Sequence, residues 1–288
     1  MHVKIRTLKD IRSNLSEELK GLYPEPEINA LATLIIKTLP QAKKLHHIYD
    51  PGQAVDAANI RYVTEIIKEL KKGSPLQYIL GYTDFYNCII RVSEDTLIPR
   101  QETEELVDLI IRENRGYTGN ILDIGTGSGC IAIALAKTIP GSSVTGTDIS
   151  KEAIAIAREN AILNNVIVEF KQEDIFNPLE ILESQPGIIV SNPPYVRISE
   201  KALMHRNVLE YEPPSALFVN DYEPLVYFNS ILNTAKKILQ PGAKVYFEIN
   251  EAMGKEMIIL FETFRYSEIN LFKDINGKDR IIRGNFNG

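Results

Sequence analysis

Asp123-Ile124-Gly125-Thr126-Gly127-Ser128-Gly129 is the stretch whose reading decides the fold. It closes a short apolar strand predicted over residues 121–124 and opens a helix. Alternate glycines let the backbone turn tightly and come close to a ligand, and a helix N-terminus presents unbonded N–H groups beside them. Asp148 ends the next predicted strand, 143–148, where an acid accepts hydrogen bonds from adjacent ribose hydroxyls. Further strands are predicted at 166–171, 187–191 and 243–249, with helices between them, as at 152–163 and 225–239. Such alternation predicts a parallel sheet covered on both faces. Two last strand candidates, 268–272 and 280–283, flank the turn Asn276-Gly277 and predict an antiparallel edge hairpin. The fold class is therefore α/β, Rossmann-like, with a mixed seven-stranded sheet.

Upstream of Pro99 the pattern is different. Leu8, Ile11, Leu15 and Leu19, then Ile28, Leu31, Leu34, Ile35 and Leu39, then Ile60, Val63, Ile66, Ile67 and Leu70 recur at helical spacing. Pro24, Pro26, Pro40 and Pro51 divide them into short helices. Residues 82–98 bring β-formers around Tyr82 to Asn87 and Ile89 to Val92, which predict a hairpin. The expected organisation is a helical domain over 1–80, a β-hairpin linker over 81–98 and a catalytic α/β domain over 99–288.

Composition sets the outer limits. The chain has 288 residues, 44% hydrophobic and 24% charged, enough for a sizeable core. The start, Met1 to Asp10, interleaves charge with aliphatics and lacks an apolar h-region, so a cytoplasmic location is expected, with no membrane span. Cys88 and Cys130 are too few for a disulfide framework, and neither they nor His2, His46, His47 and His205 show ligand spacing, so no metal is expected. Cys130 stands at a predicted helix start, where a thiol pKa can fall, but a small buried filler is the expected role. Net charge is −6, and residues 1–95 are close to neutral, so the excess acid lies in the remainder. No basic stripe is visible, which argues against a nucleic acid as direct substrate.

Asn192-Pro193-Pro194-Tyr195 follows the strand predicted at 187–191. Its residue types suit a planar nitrogen, whose delocalised lone pair makes it a poor nucleophile in need of orientation. The side-chain carbonyl of Asn192 and the backbone carbonyl of Pro193 are two acceptors for one NH2 group, and together they fix its plane. Pro193 and Pro194 restrict the backbone that carries them. Tyr195 offers an aromatic face to the target. Read alone, the same tetrapeptide is also a turn that closes a strand.

Gly125, Gly127 and Gly129 are spaced Gly-x-Gly-x-Gly, with Asp123 in front, unlike the dinucleotide fingerprint. This resembles the first motif of class I methyltransferases, which hold S-adenosylmethionine there. In that resemblance Asp123, Gly125, Thr126, Gly127, Ser128 and Gly129 cradle the methionine part, Asp148 binds the ribose, and Asp174 and Ile175 face the adenine. Asp174 reads equally as a cap before Pro178. Loop and tetrapeptide end the first and fourth strands, so Asn192 would meet both cofactor and substrate.

Over nearly its whole length the chain resembles the HemK/PrmC family, protein-(glutamine-N5) methyltransferases acting on peptide chain release factors. The motifs that carry this are Pro75-Leu76-Gln77-Tyr78-Ile79-Leu80-Gly81, Leu97-Ile98-Pro99-Arg100-Gln101-Glu102-Thr103-Glu104, the Asp123 loop, Val190 to Tyr195, and Tyr211-Glu212-Pro213 with Ala216-Leu217. The resemblance implies in-line methyl transfer to the glutamine of the Gly-Gly-Gln loop of class I release factors, with Asn192, Pro193 and Tyr195 catalytic. It further implies a helical docking domain and substrate contacts from Arg100, Glu102, Thr103 and Pro194; a monomer is expected. After Leu217 the chain departs from the family's usual turn with Val219-Asn220-Asp221-Tyr222. The rival readings are an adenine-N6 DNA or RNA methyltransferase, which needs a flipped base and a basic surface, and a silent cofactor-binding scaffold.

Overall fold

The computed structural model describes residues 5–40, 50–177 and 185–288. The predicted positions His2, His46, His47 and Pro178 lie outside them. The chain divides into two compact units, Met1–Leu80 and Gly81–Gly288.

In the first unit, α1 (Leu8–Glu18) begins at a capping box in which the Thr7 hydroxyl accepts from Asp10 N and the Asp10 carboxylate accepts from Thr7 N. Next come α2 (Glu25–Thr38), α3 (Ala57–Lys72) and α4 (Leu76–Leu80). Asp56 caps α3, and Gly73, at φ 95°, ends it in the left-handed conformation that glycine adopts without strain. Leu8, Ile11, Leu15, Leu19, Ile28, Ile35, Val63, Ile66 and Leu70 meet in one core, as their spacing predicts. Leu34 does not join it and is exposed.

The second unit opens with the hairpin β1 (Tyr82–Phe85) and β2 (Cys88–Arg91), joined by Tyr86 and Asn87, both at positive φ. Two such residues make the tight turn that matches strand twist. Glu104 accepts from Tyr86 N at 2.8 Å, which holds the strained residue in place. The hairpin belongs to the second compact unit.

Seven strands form the main sheet, in the order β10-β11-β9-β6-β3-β4-β5. They are β3 (Asn120–Ile124), β4 (Ser143–Asp148), β5 (Glu169–Gln172), β6 (Ile188–Ser191), β9 (Lys244–Glu248), β10 (Tyr266–Lys273) and β11 (Asp279–Phe286). Two-residue strands β7 (Val196–Arg197) and β8 (Phe218–Val219) pair beside it. The helices are α5 (Gln101–Glu113), α6 (Cys130–Thr138), α7 (Lys151–Leu163), α8 (Arg206–Tyr211), α9 (Pro214–Leu217), α10 (Val226–Ile238) and α11 (Gly254–Thr263). β5 starts later than the sequence suggests. Asn165 sits at φ 55° and Val166 N closes the end of α7 on Ala161 O, so β-branched Val166 and Ile167 are consumed by the connection and Ile167 is exposed. The edge hairpin is longer than predicted because a bulge at Glu268, φ 47°, interrupts the alternation that marks a strand.

Side-chain alternation assigns the two faces. Leu122, Ile124, Ile189, Val245, Phe247 and Ile249 pack with Phe228, Ile231 and Leu232 of α10 and Met257 and Phe261 of α11. Tyr246 and Glu248, one step out of phase, point the other way, where both bond to α5 or its C-cap Asn114. Parallel register sets Ile124 of β3 beside Ser191 of β6 and Thr147 of β4, so the segments leaving all three strands converge at one edge.

Candidate active site

That edge holds a cavity of about 270 Å³, lined by residues of the second unit only. Gly125, Thr126, Gly127, Ser128, Asp148, Asp174, Ile175, Asn192, Pro193, Pro194, Arg100 and Thr103, all singled out from the sequence, line it. Phe176 and the motif residues Pro213 and Ala216 line it as well, as do Ile149, Ser215 and Tyr227, which were not singled out. The rings of Phe176 and Tyr227 lie 5.1 Å apart.

The glycine-rich loop is held from below. Gly125 N and Thr126 N both donate to Thr147 O at 2.8 Å, and Gly127 N donates to Asp148 Oδ2 at 2.8 Å. Gly125, Gly127 and Gly129 all have positive φ. Asp148 Oδ1 accepts from Ser150 N at 2.9 Å. Burial raises the Asp148 pKa, and the bonds from Ser150 and Gly127 only partly oppose this.

Four expected residues stand back from the cavity. Asp123 is fully buried beneath the loop, where one carboxylate oxygen accepts from the Thr126 hydroxyl at 2.6 Å and from Ala132 N at 3.2 Å. It organises the loop instead of reaching past it, and burial raises its pKa to about 7. Gly129 is the N-cap of α6, turned onto Ala157, Phe170 and Ile133. Glu102 lies on the first turn of α5, outside the lining. Tyr195 packs its ring against the core under the sheet, outside the cavity lining, and donates its hydroxyl to Glu248 Oε1 at 2.9 Å. Burial, then Glu248, keeps its phenol protonated.

Asp174 lines the cavity and also caps a turn. Its two oxygens accept from Phe176 N at 3.0 Å and Asn177 Nδ2 at 2.8 Å. The Cys130 thiol is buried and pushed up to about 12, chiefly by that burial, which makes it an inert filler. Among the described residues no His, Cys, Asp and Glu group could hold a metal, and no helix is long and apolar enough to cross a membrane.

A chain of hydrogen bonds fixes the tetrapeptide. Asn192 Nδ2 donates to Thr103 Oγ1 at 3.2 Å, and Thr103 donates to Glu248 Oε2 at 2.7 Å. Glu248 is buried at the end of β9, and burial raises its pKa against the opposing pull of Thr103, Tyr195 and Arg280. Asn250 secures the segment after the tetrapeptide by donating to Tyr195 O and Glu200 Oε2. Opposite, Arg100 pairs with Glu212, a nearly inaccessible carboxylate that also accepts from Ile98 N at 3.2 Å. This pair ties the segment entering α5 to the one carrying Pro213 and Ala216.

An open α/β sheet with a glycine loop, an acid on the neighbouring strand and Asn-Pro-Pro-Tyr on the other side defines a class I methyltransferase domain. Residues 102–211 match the family model described as Methyltransferase small domain. The chain is 42% identical to a release factor glutamine methyltransferase of Flavobacterium psychrophilum, over 97% of this chain and 99% of that one. It is 43% identical to the protein of the same name from Bacteroides thetaiotaomicron, over 96% and 99%. The chain belongs to the release factor glutamine methyltransferase family. Among solved structures, the hMettl16 catalytic domain in complex with MAT2A 3'UTR hairpin 1 matches with a TM-score of 0.56 and 13% identity, over 88% of this chain and 90% of that one, a likeness of fold.

Proposed function

We propose that this protein transfers a methyl group from S-adenosylmethionine to the side-chain amide nitrogen of the glutamine in the Gly-Gly-Gln loop of class I peptide chain release factors. The observation that carries the reading is the bond from Asn192 Nδ2 to Thr103. It leaves Oδ1 as the amide atom available to a substrate NH2 group.

The cavity fits the cofactor. A Cβ added at Gly127 would meet nothing within 4 Å, so the loop leaves open space where its backbone faces the cavity. Asp148 keeps unused lone pairs beside its two backbone donors, suited to a vicinal diol. Ile149 and Phe176, 61% and 51% exposed, with Ile175, offer apolar surface to a planar base. When bound, S-adenosylmethionine supplies an electrophilic methyl group on a sulfonium.

Asn192 Oδ1 and the Pro193 carbonyl accept the two N–H bonds of the glutamine amide. Two acceptors hold the nitrogen in one plane and stabilise positive charge as it builds there in the transition state. The amide nitrogen bonds to the methyl carbon as the carbon–sulfur bond breaks and a neutral thioether leaves, and its proton then passes to solvent water, so no general base is required to begin.

The test incubates the protein with labelled S-adenosylmethionine and, separately, a class I release factor, the same factor with its loop glutamine changed to alanine, and duplex DNA. Label in the intact factor alone is expected. Label in DNA, or label persisting in the alanine factor, overturns the reading.

A further inference from the structure

The side chains that recognise an amide must themselves be told which way to face. Asn192 offers an acceptor or a donor depending on a half-turn about its last bond, and only its neighbours decide which. Its neighbour here is Thr103, 2% exposed, whose hydroxyl has one proton to give. Thr103 gives that proton to Glu248, 145 residues away in sequence. The other oxygen of Glu248 is met by the Tyr195 hydroxyl. An ionised carboxylate can only accept, so both hydroxyls are forced to donate to it. The Thr103 oxygen then has only lone pairs to show Asn192, and the amide must turn its NH2 inward.

We propose that Glu248 is a positioning residue that acts through Thr103 to hold the Oδ1 atom of Asn192 toward the substrate. The proposal rests on the amide-methylation reading above. β9 delivers Glu248 to this point because Phe247 pairs with Ser191 of β6, so the next residue on each strand lies beside its neighbour where the tetrapeptide begins. Side-chain alternation turns Glu248 to the α5 side, where Thr103 occupies the first turn.

Reversing the chain breaks the acceptor. If Glu248 carries a proton, it can donate to Thr103, and Thr103 in turn donates to Asn192 Oδ1. The NH2 of Asn192 would then face the NH2 of the substrate, donor against donor. The charged and titratable groups acting on Glu248 are Arg280, which favours its ionised form, and Glu102, which opposes it, with the Tyr195 phenol in contact and the Cys130 thiol nearby.

The experiment compares wild type, Thr103→Val, Thr103→Ser and Glu248→Gln. It reads single-turnover methylation of a release factor from pH 5.5 to 9, cofactor affinity by calorimetry, and the Asn192 side-chain NH2 signals by ¹⁵N NMR in the cofactor-free protein. Expected results are a kcat lower by about 30-fold in Thr103→Val, recovered largely by Thr103→Ser, with cofactor affinity within about threefold, as for a lost pre-organised donor–acceptor contact. Wild-type kcat should fall on acidification, and that acid limb should flatten in Glu248→Gln. The Asn192 NH2 signals should move on acidification in wild type and lose that response in Glu248→Gln and Thr103→Val. Thr103→Val retaining more than half the wild-type kcat, or an acid limb and NH2 response unchanged by Glu248→Gln, overturns the proposal. A wild type that leaves the release factor unlabelled while its NH2 signals respond as described would sink the substrate reading and keep the relay.

Discussion

Asp148 accepts a hydrogen bond from Gly127 N at 2.8 Å, so the acid that ends β4 also shapes the loop that ends β3. Removing the carboxylate therefore removes both a ligand acceptor and a support of the cradle. Asp148→Ala is expected to weaken S-adenosylmethionine about 30-fold or more, as for lost hydrogen bonds to a charged group. Burial raises the pKa of Asp148 in the free protein, whereas diol donors favour its ionised form, so binding takes up the carboxylate and releases its proton. Affinity should fall as pH drops through that raised pKa, and calorimetry in two buffers of different ionisation heat should register proton release. Affinity independent of pH between 5 and 8 would contradict the assignment.

Asn192→Ala separates chemistry from binding. It deletes the acceptor for the glutamine amide but leaves the glycine loop and Asp148 untouched. A fall in kcat of about 10²–10³ is expected, the range for loss of one transition-state contact. Cofactor affinity should stay within a few-fold. Collapse of affinity instead would make Asn192 mainly a cofactor residue.

Asp123 should appear in stability as a function of pH. One of its oxygens bonds to Thr126 and Ala132 N, and the other is buried without a partner. Its folded pKa of about 7 lies above the ordinary 3.8. Between those values the folded state binds a proton that the unfolded state has released, so stability falls as pH rises and levels off above about 7. Asp123→Asn cannot titrate. The difference in Tm, variant minus wild type, should rise from pH 4 to 7 by on the order of 5 °C and then flatten. A difference constant with pH would mean that the carboxyl is not raised.

Gly127 and Gly129 look equivalent in the sequence but should fail differently. A Cβ at Gly129 would lie 3.0 Å from both Ala157 Cβ and Phe170 Cζ, in a backbone at φ 80°. Gly129→Ala should cost about 2–4 kcal/mol of stability from overpacking and strain together. Gly127→Ala meets only strain, so its stability loss should be about 1 kcal/mol. Its main effect should be on cofactor affinity, because the methyl enters the space beside the loop. Denaturant unfolding and calorimetry on the two variants distinguish these outcomes.

What the sequence revealed and what it hid follow from the same physics. Residues Ile188 to Val190 are buried on both sides of the sheet, so their pattern is a continuous apolar run that can be read directly. Loop glycines and the double proline constrain the backbone locally, and local constraints leave local signatures. The partner of Asn192 lies 89 residues away and that of Thr103 145 away, contacts that only the folded chain brings together. A charged residue closing the buried run Val245-Tyr246-Phe247 was the available signal for Glu248. Tyr195 donates its hydroxyl to Glu248, 53 residues on, so the direction of its ring is equally hidden in the sequence.

Asn160 is the residue whose importance the sequence conceals most. It is fully buried on α7, in the stripe of Ala153, Ile154, Ala157 and Ala161, where a polar side chain breaks the pattern. Its Oδ1 accepts from Arg91 N at 2.7 Å, and its Nδ2 donates to Arg91 O at 3.0 Å and Ser128 O at 2.9 Å. One side chain thus ties β2 to the cofactor loop. Asn160→Ala leaves those backbone groups without the partner they have now, at about 1–3 kcal/mol for each one that water cannot reach. A loss of about 3–4 kcal/mol in denaturant unfolding is expected, together with weaker cofactor binding, because Ser128 loses its anchor. Asn160→Asp should be nearly as damaging, since a carboxylate presents an acceptor where two carbonyls need a donor. If either variant keeps wild-type stability and affinity, the tie between hairpin and loop is dispensable, and Thr147, Asp148 and Asp123 suffice to hold the loop.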